Sequence, residues 1–475
     1  MKNLPKLITD PDILAGYLSD ASNTHGRAEL LAVPANAAEV AALLAWAQAE
    51  AMPVTITARR TGTTGAAVPE GGLLLSTERL DGVEAPDVVG GGVLLGAHQD
   101  ALERQGLLFP PDPTSRHESS IGGAIVNNAS GARSFHDGPT RRWIEWVDVV
   151  LPTGAIIERV SRSTPIPTGW PVPRWSEPGV KNAAGYAPAD NLLDLLIGSE
   201  GTLGVVTRAG LRLRRAPAGV LSLLAFFPDL DSTLGFVARA RAAADRARQP
   251  RPEPGPLNPC ALEYFDSNAL DMIRARVTLP ARATDAVLIE VEHGGNAPLE
   301  DWFEALVDAG ALADDTVVAE DAAGRRRLAA IRHALPAGTN ERVVANRMPK
   351  IGTDFAVPDA ALAPMMQAYR AVTLPHICFG HIGDNHLHLN LLPRDADELQ
   401  QARQVYRALA ETAVALGGTV SAEHGIGKIK RGLLAHQVGA DTLAQMAALK
   451  AAADPRWILG RGTLLPTPDA SAGAV

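Results

Sequence analysis

Apolar residues recur along this chain at two spacings, and the switches between them predict its elements. Residues 30–34 and 53–57 read as strands. Between them Val40, Leu43, Leu44 and Ala47 fall at helical spacing, predicting a helix over 37–51. Residues 1–24 read as a short helical lead-in. Further strands are expected at 73–77 and 146–154, with a glycine-broken apolar run at 88–95 and a helix over about 94–105. Five prolines (Pro165, Pro167, Pro171, Pro173 and Pro178) make 161–179 an irregular excursion, and 191–196 is expected to be helical. Beyond Pro217 the pattern becomes strand 221–227, helix 230–248, strand 286–292, helix 299–309. That order predicts an α+β sandwich as a second domain. Residues 249–256, with a proline at every second position, read as a loop or boundary. Residues 325–333 form an arginine-rich helical stretch, whose usual role is a solvated face. A long helix is expected over 399–415, and a disordered tail after Pro466.

The densest chemistry lies at 379–390. Leu387, Leu389 and Leu391 alternate there with His386, His388 and Asn390, so the three polar side chains share one face of a short strand. His381 ends the preceding segment, and the turn at 383–385 can fold it back beside His388. Neutral imidazoles ligate divalent metals, but two make a poor site without a carboxylate. Ser421–Gly427 offers Glu423, with His424 next to it.

Three small-residue loops each adjoin a predicted strand. The first, 58–69, contains Thr61, Gly62, Thr63, Thr64 and Gly65. Such a loop lets backbone N–H groups approach a phosphate closely. It is not a G-x-G-x-x-G turn, which excludes a Rossmann reading. The second runs from Pro110 to Gly131, with Pro111 and Asp112 at its start. Gly122 and Gly123 allow tight backbone approach, and Ser119, Ser120, Asn127, Asn128 and Ser130 supply hydrogen-bonding tips suited to a pyrophosphate or a polar ring edge. The third, 198–207, carries Glu200, Gly201, Gly204 and Val205 and runs into a strand. Together they suggest one extended ligand with phosphates and a ring system.

At 475 residues the chain is too long for one compact core. Hydrophobic residues make up 46%, enough for a large core and too many for general disorder. A net charge of −9 and no long basic run argue against nucleic acid as the partner. Two cysteines, Cys260 and Cys378, cannot build a disulfide framework or an iron–sulfur cluster. They fit a reducing cytoplasm. The N-terminus is not read as a signal peptide, and no run is long enough to span a membrane.

On its separated motifs the chain resembles the FAD-linked D-2-hydroxy-acid dehydrogenases of the vanillyl-alcohol-oxidase fold, which include D-lactate and D-2-hydroxyglutarate dehydrogenases and the glycolate oxidase flavin subunit. The motifs are Thr61–Gly65 with Pro69, Pro110–Pro113, Ile121–Ile125, Gly138–Arg141, Gly198–Gly204, Ala261–Asp266, Gly380–Asp384, Glu423–Gly427 and Asp454-Pro455. The resemblance covers roughly 30–466. It implies an α+β chain with a PCMH-type FAD-binding domain over 25–217 and an α+β substrate cap over 218–416. A segment over 417–466 would return to the FAD domain, before a tail at 467–475. The pyrophosphate would sit at 61–65 and 121–131, and 198–205 would line the flavin or ribityl chain.

The same resemblance makes His381, His388 and Glu423 ligands of a divalent metal, Zn²⁺ or Mn²⁺. It makes His424 the base, Asn390 a substrate contact and Arg332 the carboxylate clamp, with Lys350 and Thr353 as lesser candidates. The implied reaction oxidises a D-2-hydroxy acid to the 2-oxo acid. A quinone, a cytochrome or an electron-transfer flavoprotein would accept the electrons, a location at the inner membrane face would suit them, and a homo-oligomer is allowed. The chain departs from the usual pattern at three places. Arg59-Arg60 stand where more glycines are usual, Asn385-His386 where Gly-Asn is usual, and Gly460–Thr463 where Asn-Pro-Gly-Lys is usual. His386 thus joins the face of His388, where it adds a ligand or reshapes the pocket. Two other classes fit part of the pattern: a metal hydrolase built on His381, His388 and Glu423, and a non-catalytic flavoprotein subunit of an electron-transfer complex. The hydrolase leaves the glycine loops unexplained.

Overall fold

The computed structural model describes residues 4–249 and 257–468. The boundary prolines at 250–256 and most of the expected tail lie outside these residues. The helix Ala37–Ala49 forms where its spacing predicts, and its buried face is Val40, Leu43, Leu44 and Ala47. Asn36 caps it by accepting from the Glu39 N–H at 2.9 Å. The helix is the crossover between strands Leu30–Ala32 and Val54–Thr57, which both pair in parallel with Leu73–Ser76. The lead-in contains the short helix Pro11–Ala15 but also a strand, Leu7–Ile8, which adds antiparallel to Leu30–Ala32.

A second sheet is antiparallel, with Val83–Ala85, Val88–Gly90, Val205–Leu211, Ile144–Val150 and Ile156–Ser161 in that spatial order. The first and third glycine loops lead out of Val54–Thr57 and into Val205–Leu211, so both loops meet at one end of these sheets. The second loop holds a short helix, Ile121–Val126, capped by Ser120. No regular element interrupts 162–191, so the irregular excursion expected over 161–179 continues to the helix Leu192–Leu196.

The third sheet is the largest and holds the histidines. Its order is Val317–Ala319, Gly219–Phe227, Asp285–His293, Pro259–Phe265, His376–His381, His386–Leu391 and Ile351–Gly352, with Phe355–Ala356 also pairing His386–Leu391. Helices Leu230–Ala247, Leu299–Asp308 and Ala396–Ala415 match their expected positions. The arginine-rich stretch belongs to a longer helix, Ala322–Asn346, which carries Pro336 inside it. Arg431–Ala453 is two helices that meet at a kink, where Gly439 takes a non-helical φ of 78°, and the apolar spacing gave no expectation of them.

The C-terminal segment is fastened to the first sheet. Val54 bonds to the Ile458 carbonyl at 2.7 Å, and Gly460 bonds back to Val54 at 2.9 Å. Lys450, only 3% exposed, secures it. Its Nζ donates to the carbonyls of Thr202 at 2.7 Å and Leu459 at 2.9 Å and to Asp454 Oδ2 at 2.6 Å. Burial pushes this amine down to about 8, while Asp454 opposes that shift. Replacing Lys450 by Met should cost about 3–5 kcal/mol, because Asp454 then stays buried without its cation. Chemical denaturation measures this, and an unchanged midpoint would show that the pair is not the anchor.

Candidate active site and cation centre

The histidine face forms as the alternation predicts. In the hairpin of His376–His381 and His386–Leu391, His381 stands directly opposite His386, and Phe379 opposite His388. Opposed residues and i, i+2 neighbours share a face. The three rings therefore gather, with centroid separations of 4.5 Å for His386–His388, 5.4 Å for His381–His386 and 5.6 Å for His381–His388. The connecting turn needs a left-handed residue, and Asn385 supplies it at φ 53°. Arg241 clamps that turn by donating to the Ile382 carbonyl at 2.8 Å and to Asn385 Oδ1 at 2.5 Å.

Glu423 arrives from the loop after Thr419 and faces this cluster. Its Oε1 lies 3.3 Å from His388 Nε2 and 3.5 Å from His381 Nε2. His386 Nδ1 is 3.9 Å from Oε2. One donor atom from each of these four residues falls within 4.8 Å of the others. Imidazole nitrogen with carboxylate oxygen is a donor set that suits a borderline divalent cation. The outer nitrogens of two rings are engaged. His381 Nδ1 meets Glu263 Oε1 at 2.5 Å, and His388 Nδ1 meets the Thr353 carbonyl at 3.1 Å. Such contacts fix which nitrogen faces inward.

The charges agree with this arrangement in part. Burial pushes the pKa values of His386 and His388 down, which keeps both rings neutral. Burial acts the same way on His381, but Glu263 overrides it and raises that imidazole, so a cation must displace a proton there. Burial opposes ionisation of Glu423, yet Lys181 and His381 outweigh it and hold the carboxyl well below the usual range. Lys181 Nζ sits 2.8 Å from Glu423 Oε2.

His424 lies beside the cluster and is one-third exposed, at 34% for its side chain. Its ring stacks on His388 at 5.2 Å and an interplanar angle of 9°, with Nε2 3.5 Å from Glu423 Oε1. Glu423 and His424 both line a cavity of about 450 Å³. Thr61, Gly62, Thr63, Thr64, Ser120, Gly122, Gly123, Glu200, Gly201, Gly204 and Val205 line it too. The three glycine loops therefore share one cleft with Glu423 and His424, and through Glu423 the cleft adjoins the histidine cluster.

Five other expected cofactor residues stand behind the lining. Gly65 takes a left-handed φ of 78°, and Asn128 Oδ1 accepts from the Arg141 N–H at 3.0 Å. The Pro111 carbonyl accepts from Gln99 at 2.6 Å. Gly131 packs so closely on the Asp112 carbonyl that a Cβ would meet its oxygen at 1.7 Å. Glu200 lines the cavity but spends its carboxylate on the Ile426 and Gly427 N–H groups, at 2.7 and 2.8 Å.

Arg332 comes to the cluster through Glu263, with Nε 3.2 Å from Glu263 Oε2, and its NH1 lies 4.0 Å from Asp112 Oδ2. Asn390 is buried and donates to the His388 carbonyl at 3.2 Å. Thr353 is committed to the sheet, donating to the Leu387 carbonyl at 3.1 Å and accepting from the Leu389 N–H at 2.9 Å. Lys350 is exposed, just before Ile351–Gly352. Sequence reasoning gave no role to Asp354, Lys181 or Glu263. Only Glu263 carried a signal, as the sole charged residue in the apolar strand Pro259–Phe265.

Residues 28–159 match the FAD binding domain family, and residues 217–464 match the family described as FAD linked oxidases, C-terminal domain. A D-2-hydroxyglutarate dehydrogenase of Xanthomonas citri is 31% identical, over 98% of this chain and 95% of its own. The glycolate oxidase subunit GlcD of Bacillus subtilis is 30% identical over 91% of this chain and 87% of its own. A D-lactate dehydrogenase of Anaerostipes hadrus is 28% identical over 97% and 94%. In fold the chain is similar to an alkyldihydroxyacetonephosphate synthase structure, at a TM-score of 0.67 and 16% identity, covering 96% of this chain and 81% of that one. No helix among the described residues is long and apolar enough to cross a membrane. These matches span nearly the whole length, and the chain belongs to the family of FAD-linked oxidases.

Proposed function

We propose that this protein oxidises a D-2-hydroxy acid to the 2-oxo acid, using FAD and a divalent cation. The observation that supports the reading is the shared cleft: Glu423 and His424 line a cavity together with all three glycine loops, and Glu423 ties that cavity to His381 and His388. The names of the relatives support the substrate class, D-2-hydroxyglutarate, glycolate and D-lactate being the acids they carry. A hydrolase leaves that cavity without a purpose, and a non-catalytic subunit leaves the histidine and carboxylate set without one. We assign residues 25–217 to cofactor binding, 218–416 to the cap and 417–466 to the returning segment.

FAD would supply a two-electron acceptor for the α-hydride, and a divalent cation would supply Lewis-acid polarisation of the substrate hydroxyl. His381, His388 and Glu423 would hold that cation. His424 takes the hydroxyl proton on Nε2, the nitrogen facing Glu423, while Nδ1 lies 3.7 Å from Asp354. Arg332 orients the substrate carboxylate, with Glu263 bracing its Nε edge. Asn390 shares the histidine face and contacts the substrate from it. A quinone, a cytochrome or an electron-transfer flavoprotein would serve as the electron acceptor, which suits a cytoplasmic protein placed peripherally at the membrane.

The purified protein should show a flavin spectrum that bleaches on anaerobic addition of D-lactate, D-2-hydroxyglutarate or glycolate. A flavin that none of them bleaches would refute the substrate class. A colourless protein that does not take up FAD would refute the reaction itself.

Replacing His424 by Ala should keep the flavin and lower turnover about 10²–10⁴-fold. Turnover equal to that of the unaltered protein would remove His424 from the proton transfer.

Replacing His388 by Ala should strip the cation and leave the flavin bound, read by metal analysis beside the flavin absorbance. Full metal content in that variant would place the cation elsewhere.

A further inference from the structure

We propose that His386 is a fourth protein ligand of the cation, making the centre a set of three imidazoles and one carboxylate. The proposal rests on the cation site proposed above and assigns it a residue that site does not use. His386 is fully buried, at 0% exposure, and neither of its ring nitrogens has a hydrogen-bond partner of good geometry. Burying an unpartnered polar ring is unfavourable, and native interiors avoid it. The ring is nonetheless held at the centre of the cluster, opposite His381 and 4.5 Å from His388.

Its two nitrogens face different groups. Nε2 lies 2.9 Å from Asp354 Oδ1, although the angle falls short of a hydrogen bond. Nδ1 turns to Glu423, 3.9 Å from Oε2. The same division holds for its neighbours, whose outer nitrogens meet Glu263 and the Thr353 carbonyl while the inner ones face Glu423. An imidazole with a carboxylate behind one nitrogen and a free second nitrogen aimed at other donors is how histidine is presented to a metal. A tetrahedral ion with bonds of about 2.0–2.1 Å has donor–donor edges of about 3.3–3.4 Å. Glu423 Oε1 lies 3.3 and 3.5 Å from His388 and His381, close to those edges. His386 Nδ1 lies 3.9 Å from the other oxygen, Oε2, and all four donors fall within 4.8 Å of one another, so His386 must close in to complete the set.

The consequence is a change in metal preference. A third imidazole favours Zn²⁺ over harder, oxygen-seeking ions such as Mn²⁺. His386 therefore tightens the site and biases it toward zinc, even without substrate.

The test uses the flavin-loaded full chain, stripped of metal by chelation and titrated separately with Zn²⁺ and Mn²⁺. His386→Asn and His386→Gln are compared with the unaltered protein and with His388→Ala, and flavin content and thermal midpoint report folding. Each His386 variant should bind Zn²⁺ about 10–100-fold more weakly, with a smaller loss for Mn²⁺. X-ray absorption of the zinc-loaded unaltered protein, which needs no variant, should show three imidazoles. Two imidazoles, or unchanged Zn²⁺ affinity in both His386 variants while His388→Ala loses the ion, would overturn the role of His386 and leave the cation site standing. An unaltered protein that takes up neither ion would overturn both.

Discussion

Asp354 sits at 0% exposure between the histidine strand and the C-terminal loop, and the placement of Glu423 and His424 depends on it. It accepts the backbone N–H groups of Glu423 at 3.1 Å and His424 at 3.0 Å. It also takes the Ser421 hydroxyl at 2.8 Å and Lys430 Nζ at 2.6 Å. Burial opposes its ionisation, but His424, Lys430 and His386 reverse that and hold its pKa well below the usual carboxylate range. One buried anion thereby pins two neighbouring residues. A carboxylate that accepts successive N–H groups fixes the backbone itself, so both side chains inherit a defined direction.

The loop is held from its far side as well. Glu200 accepts from Ile426 and Gly427, and the Thr64 carbonyl accepts from Lys428 at 2.9 Å. The Thr64 hydroxyl donates to the His424 carbonyl at 3.3 Å. The contact is so close that a Cβ at Gly427 would lie 2.1 Å from the Thr64 oxygen. The first and third glycine loops thus have two duties, lining the cavity and seating the residues at its mouth. Burial raises Glu200 to about 7 even though two N–H groups favour its charged form, which measures how enclosed this junction is.

Local order was legible in the sequence, and long-range pairing was not. Alternation over 386–391 places His386, His388 and Asn390 on one face because a strand's side-chain period is two, whatever surrounds it. The helix at Ala37–Ala49 was legible for the same reason at a period of 3.6. The partners of those side chains come from far away: Glu263 is 118 residues from His381, and Lys181 is 242 residues from Glu423. No spacing rule reaches across such distances. Glu200 and Asp354 show the complementary difficulty, since an acidic residue in an apolar stretch reads the same whether it meets a ligand, a metal or a backbone. Pro336 hid most of one long helix by interrupting a local preference that the surrounding packing overrides, whereas Gly439 truly divides Arg431–Ala453 into two helices.

The site is also non-local in a way that bears on how it forms. Three of its imidazoles belong to a hairpin within the third sheet, but its carboxylate and the fourth imidazole arrive from residues 423 and 424. Those residues stay in place only if the segment beyond them returns to the first sheet, through Lys450, Asp454 and the Val54–Gly460 contact. The segment that supplies Glu423 therefore runs from the histidine sheet past the glycine loops to its anchor on the first sheet. The four donors face one another only because both halves of the chain contribute to the same junction.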